Sequence, residues 1–176
     1  MTIDLDHLIT ECQSALTEDR PQAALREVLR RAVSRPTDLL ALLPADQQQS
    51  IPVHVSDELT ILQIVNAPGF AFLPHDHGSW SACAYYAGRE RNTFYRRTSH
   101  GLERVNGKDY EVGDVSLMGA DAIHAIENPL TTNNAALHVF AGNPFTAPCS
   151  QWDPETLEQA EFDIPYVMSV YPTPAR

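Results

Sequence analysis

The chain has 176 residues, enough for one domain with a real core, and its apolar and charged fractions are ordinary for a globular protein. Its net charge of −11 argues against nucleic acid and anionic membrane surfaces as partners. Three scattered cysteines, Cys12, Cys83 and Cys149, give no disulfide framework and suit a reducing compartment. The N-terminus lacks a basic start followed by an apolar run, and no stretch is apolar for long enough to span a bilayer. The expected location is cytoplasmic.

Residues 3 to 17 carry Leu5, Leu8, Ile9, Cys12 and Leu16 at helical spacing. Pro21 suits a first helical turn, and Leu25, Val28, Leu29 and Ala32 continue the period. Thr37 is the expected cap of a short third helix, Asp38 to Leu43, stopped by Pro44. Gln47 to Ser50 reads as a polar connector. From Pro52 the pattern becomes that of short strands cut by turns. The predicted strands include Thr60 to Val65, Ser79 to Ala87 and Asn92 to Arg97, with Gly88-Arg89 as a hairpin turn. Leu102 to Val105 and Lys108 to Val112 flank Asn106-Gly107, a strong two-residue hairpin signal. Val115 to Met118, Ile123 to Glu127 and Ala135 to Ala141 complete the set. Asp153 as cap and Pro154 at the first position predict a short helix in the tail, before a Pro-studded segment from Ile164. Many short strands at regular spacing indicate an all-β barrel or double sheet. The expected organisation is a single domain over 1–176: helices in 1–45, a barrel in 52–145 and a tail in 146–176.

His75-Asp76-His77 stands out. Two histidines two apart on a strand face the same side, and two imidazoles in one space are most of a small metal site. The alternative for the pair alone is a surface His-x-His with no metal.

Two segments together resemble the cupin motifs. His75-Asp76-His77, Ser81 and Gly88 follow the spacing of the first motif, with Ser81 where cupins carry Glu. Gly113, Gly119, Asp121, His124 and Asn128 follow the second, with Gly119 and Asp121 replacing its Pro and second Gly. The resemblance implies a cupin double-stranded β-helix, a jelly-roll barrel, behind an N-terminal helical segment. It also implies metal ligands His75, His77 and His124. Three neutral imidazoles without a carboxylate look like the thiol dioxygenases, cysteine dioxygenase and its bacterial mercaptopropionate relatives. Pro74 to Trp80, Phe94 to Arg97, Ile123 to Pro129, Leu137 to Phe140 and Ser150 to Glu155 resemble that bacterial branch. The implied function is iron(II)-dependent oxidation of a small thiol by O2 to a sulfinate. The alternatives are an iron cupin oxygenase on a non-thiol biosynthetic substrate, or a non-redox isomerase, lyase or binding module holding Zn, Ni or Mn.

The chain departs from this branch in two places. Where cysteine dioxygenases carry Ser-x-His-x-Tyr, it reads Ala136-Leu137-His138-Val139-Phe140, so the Tyr hydroxyl is missing. His138 is either a proton relay near the metal or a hydrogen-bonded interior histidine. The Arg that binds the substrate carboxylate upstream of His-x-His is absent too, since residues 36 to 88 hold no Lys or Arg. If Gly88-Arg89 closes a hairpin, Ser81 pairs with Arg96 and faces the metal side with it; one extra loop residue brings Arg97 instead. These two are the candidate partners of a small anionic substrate, the alternative being solvated arginines outside the barrel. Tyr85 shares strand parity with Ser81 and either reaches the pocket or packs in the core. His7, His54 and His100 have no such context.

Overall fold

The computed structural model describes residues 3–99, 101–163, 165–166 and 169. Three helices come first: α1 (Leu5–Leu16), α2 (Pro21–Val33) and α3 (Pro36–Leu42). Asp4 caps α1 by accepting from the His7 N–H at 3.1 Å. Thr37 does not cap α3. Pro36 already occupies its first turn and Arg35 the cap position, because proline has no N–H to lose there.

Eleven strands follow among the described residues: β1 (Gln49–Val55), β2 (Thr60–Asn66), β3 (Ala71–His75), β4 (Ser81–Ala87), β5 (Arg89–Thr98), β6 (Gly101–Glu111), β7 (Val115–Met118), β8 (Ile123–Glu127), β9 (Asn134–Phe140), β10 (Ser150–Trp152) and β11 (Gln159–Glu161). They form two sheets, ordered β1-β2-β9-β4-β7 and β11-β10-β3-β8-β5-β6. All the pairings are antiparallel. The polar connector Gln47–Ser50 thus ends inside a strand, because β2 offers its free edge to it.

The first sheet is buried on both faces. Ile61, Val65, Ala82, Ala84, Tyr86, Ala135, Leu137 and Val139 pack against Leu8, Cys12, Leu25, Leu29 and Leu39 of the helices. The opposite parity, including Leu62, Ser81, Cys83, Tyr85, Ala136, His138 and Phe140, turns to the barrel interior. That double burial explains why β9 has no exposed position.

Two turn expectations and one helix expectation fail. Gly88-Arg89 is not a hairpin: β4 pairs with β7 and β9, whereas β5 pairs with β6 and β8, so the chain changes sheet there. Gly88 makes that crossing at φ 65°, where an added Cβ would lie 2.9 Å from the Asn133 carbonyl oxygen. Asn106-Gly107 sits inside β6, beside a register shift in its pairing with β5: Phe94 faces Asn106 and Tyr95 faces Arg104. The turn of that hairpin lies between Thr98 and Gly101, which pair across it. The tail helix is also replaced. Asp153 Oδ1 accepts the N–H groups of Glu155 and Thr156, but Leu157 at φ 58° ends the turn and β11 follows. Most of the Pro-studded segment lies outside the described residues, as does His100.

Candidate metal centre

His75 ends β3, and His77, expected on the same strand, instead follows it in an irregular segment before Gly78. Gly78 turns the chain at φ 62°, and an added Cβ would come within 2.9 Å of the Pro148 carbonyl oxygen. Only glycine lets the loop lie this close to the 147–149 segment. His124 stands on β8 directly opposite His75.

All three imidazoles are buried. Their Nε2 atoms converge, at 3.3 Å between His75 and His77 and 3.2 Å between His77 and His124. A metal–imidazole bond of ~2.0–2.1 Å, at angles from octahedral to tetrahedral, separates ligand atoms by roughly 2.9–3.4 Å. The spacing therefore suits one metal ion.

The far nitrogens decide the tautomers. His75 Nδ1 lies 3.0 Å from the Leu73 carbonyl oxygen, which can only accept. His124 Nδ1 lies 2.7 Å from Asn92 Oδ1, while Asn92 Nδ2 donates to Glu90 Oε1 at 2.9 Å. Both Nδ1 atoms are donors, so both Nε2 atoms present lone pairs inward. His77 Nδ1 meets Ser81 Oγ at 2.9 Å. Ser81 does not join the three ligands; it orients one of them. Burial is the largest influence lowering the pKa of His75, His77 and His124, and mutual repulsion adds to it for His77 and His124, so all three stay neutral as a metal requires.

A cavity of about 130 Å³ opens from the three Nε2 atoms, and its lining is mostly Leu, Ile, Phe and Pro. His138 and Phe140 line it. His138 Nδ1 contacts Cys83 Sγ at 3.3 Å, while its buried Nε2 has no hydrogen-bond partner. Burial holds His138 neutral, with its pKa lowered to about 3. Phe140 sets its ring edge-to-face on His77 at 5.1 Å.

The remaining expected residues lie elsewhere. Arg96 is exposed and donates to Glu103 at 2.7 Å on neighbouring β6. Arg97 donates to Asp76 Oδ2 at 2.6 Å and lies over Trp152 at 4.7 Å. Neither lines the cavity. Their assignment needed β4 and β5 to pair, and those strands are in different sheets. Tyr85 is core: it stacks on Tyr110 at 4.9 Å and donates to Glu90 at 3.3 Å. His7 is exposed and His54 half-buried.

Sequence reasoning missed three contributors. Asp76 is buried, and its Oδ1 accepts the Ser150 N–H at 2.8 Å, tying β10 to the histidine loop. Asn92 and Glu90 back His124. Asn92 opened a predicted strand as a polar side chain, and Glu90 lay outside the predicted strands.

No family model matches the sequence. Similar solved structures include an RmlC-like cupin family protein with a double-stranded β-helix fold from Methanocaldococcus jannaschii. It is 16% identical, the match covers 58% of this chain and 87% of that one, and the TM-score is 0.50. A cupin superfamily protein from Desulfitobacterium hafniense is 20% identical over 60% of this chain and 88% of its own, with a TM-score of 0.47. A double-stranded β-helix protein from Klebsiella pneumoniae is 13% identical over 58% and 79%, with a TM-score of 0.46. The fold is thus the cupin double-stranded β-helix, here carrying three N-terminal helices and a three-histidine cluster suited to a metal ion. Among the described residues no helix is long and apolar enough to cross a membrane.

Proposed function

We propose that the protein is a non-haem iron(II) dioxygenase that converts a small thiol to its sulfinate. The observation that carries this reading is the trio of convergent Nε2 atoms, with no carboxylate among them, at the head of an apolar cavity. His75, His77 and His124 would hold iron(II), which when bound supplies a site for sulfur and the electrons that activate dioxygen. Three neutral ligands leave the ion's charge uncompensated, so an anionic thiolate is a favourable additional partner. The reaction is RS⁻ + O2 → RSO2⁻. Both oxygen atoms enter the product, sulfur gives up four electrons and dioxygen takes them.

The chain's own residues set the conditions. The Leu73 carbonyl, Ser81 and Asn92 keep the imidazoles aimed inward. The apolar walls exclude water from the sulfur. His138 presents one nitrogen for a hydrogen bond to the reacting molecule. Phe140 leaves out the hydroxyl that the cysteine dioxygenases place there, so His138 works without a phenol beside it.

The test is anaerobic loading with iron(II), then oxygen uptake across a panel of thiols with mass analysis of the product. Thiol-dependent uptake with a gain of two oxygen atoms is expected. Metal retained without uptake on any thiol would rule the reading out.

A further inference from the structure

The cavity before the imidazoles is walled by Leu62, Ile64, Phe72, Ile126, Phe140 and Phe162. Its volume, about 130 Å³, is close to the ~150 Å³ of an engineered apolar cavity that takes benzene. Among the described residues no Lys or Arg lines it. The two arginines nearest in sequence to the expected role are spent on Glu103 and on Asp76 with Trp152. Asp76 is the one carboxylate on the lining, and both of its oxygens are taken, by Arg97 and by the Ser150 N–H. An ammonium group would meet a pair that is already neutralised.

Among the fully buried polar side-chain atoms on the lining, one has no partner: His138 Nε2, on a residue that is 3% exposed; the half-buried Ser50 also lines the cavity. His138 Nε2 donates if the Cys83 thiol donates its hydrogen bond to Nδ1, and accepts otherwise. A charged group in this cavity would lose its water and find no counter-ion. An apolar chain would lose nothing of the kind and would gain contact with four phenylalanines, Phe145 included.

We infer that the substrate is uncharged beyond its sulfur: a short apolar thiol, with any hydrogen-bonding group placed at His138 or Ser50. This rests on the thiol reading above. The sulfur lies at the imidazoles and the hydrocarbon against Phe72, Phe140 and Phe162. About five or six heavy atoms fit, by comparison with the benzene-sized cavity. Amino-acid thiols and mercapto-carboxylates are disfavoured because the wall has no charge to meet theirs.

The test titrates cobalt(II)-loaded protein, without oxygen, with 1-butanethiol, 3-mercaptopropionate and cysteamine. The readout is the thiolate-to-cobalt absorption band. 1-Butanethiol should saturate the band at a concentration at least about tenfold below either charged thiol, a gap of one decade in Kd. Equal or tighter binding of 3-mercaptopropionate or cysteamine overturns the uncharged class and leaves the thiol reading standing. If cobalt is not retained, or no thiol gives a band, the thiol reading falls instead. The class is then judged by adding toluene to the same protein. A rise in Tm of at least about 2 °C upholds an apolar occupant, and no rise overturns it.

Discussion

The barrel interior has two ends built on the same strands, and they treat buried polar atoms in opposite ways. At the closed end, Tyr85 bonds to Glu90 at 3.3 Å and lies 3.4 Å from Ser116 Oγ. Glu90 also accepts from Asn92 at 2.9 Å and Asn66 at 3.3 Å. Around that network Cys83, Tyr110, Met118 and Ala136 pack as ordinary core. At the open end the inward nitrogens of His75, His77 and His124 face one another, and that of His138 faces nothing. Buried polar groups are nearly always paired. The network around Glu90 obeys that rule with its own side chains, Asn134 Oδ1 beside it being the exception, and the open end meets it only when something is bound. Asn92 joins the two, taking Glu90 on one side and His124 on the other. The closed end is thus the mount for the open one.

The largest effect expected from breaking this contrast is on metal. Replacing His124 by Ala removes one of three ligands, and elemental analysis of protein purified without chelator should show metal reduced to about a tenth or less. The fold should survive, because the change leaves no new charge buried. Unchanged metal content would remove His124 from the site.

Striking at the closed end should cost stability first. Glu90→Leu leaves the donors of Asn66, Asn92 and Tyr85 facing a hydrocarbon, at about 1–3 kcal/mol for each that finds no other partner. A loss of about 3 kcal/mol in urea denaturation is expected. Asn92→Leu should instead act mainly on the open end, weakening metal binding about 10–100-fold by releasing His124 Nδ1. Equal metal affinity in Asn92→Leu and the unmodified protein would show that the two ends are independent.

Acid separates the ends by sign. His75, His77 and His124 are held neutral below the ordinary imidazole pKa, and His138 down to about 3, chiefly by burial. The unfolded chain takes up protons near pH 6.5 that the metal-free fold refuses. Each such histidine therefore costs the fold about 1.4 kcal/mol per pH unit below that point, until its own folded pKa is reached. Glu90 runs the other way. Burial raises its pKa to about 7, so its contribution is present below the unfolded value near 4.5 and is lost as pH rises towards 7. Four imidazoles outweigh one carboxyl, so the Tm of the metal-free protein should fall steadily from pH 6.5 to 5. Glu90→Gln should steepen that fall, since it removes the opposing carboxyl. A Tm that stays level or climbs over this range would show that the imidazoles are not held neutral by burial.

What was legible in the sequence follows the same division. Helix periods and the strands Val115–Met118 and Ile123–Glu127 were readable because local periodicity decides them. The cupin fold and the trio of histidines were readable because motif spacing carries both. Gly88-Arg89 and Asn106-Gly107 misled because a glycine marks where the backbone can bend, while the partner of each strand is chosen by sheets assembled from distant segments. Arg96 and Arg97 went astray through that same strand pairing. Asp76 and Asn92 act through contacts between strands far apart in sequence, and Glu90 through contacts across the two sheets; no spacing rule reports those.

The smallest expected effect tests how dry the open end is. Phe140 is buried, and in register it faces Ser81 on one side and Thr60 on the other. Its ring meets His77 edge-on at 5.1 Å and stacks with His138 at 6.4 Å. Phe140→Tyr adds one hydroxyl beside a cavity whose one unpartnered nitrogen is His138 Nε2. If the hydroxyl reaches that nitrogen, the variant should lose about 1 kcal/mol or less, since a hydrogen bond offsets the burial of the oxygen. If it does not, the cost should be nearer 1–3 kcal/mol. A double-mutant cycle with His138→Phe separates the cases. Coupling of about 0.5–1.5 kcal/mol places the hydroxyl on His138, within the range for neighbours that share a hydrogen bond. That hydroxyl would also take the nitrogen we assign to substrate, so 1-butanethiol should bind about as before while a thiol carrying a hydroxyl loses its advantage. Zero coupling with unchanged ligand preference would mean that Phe140 sets packing alone, and that dryness at this end depends on the phenylalanines around it.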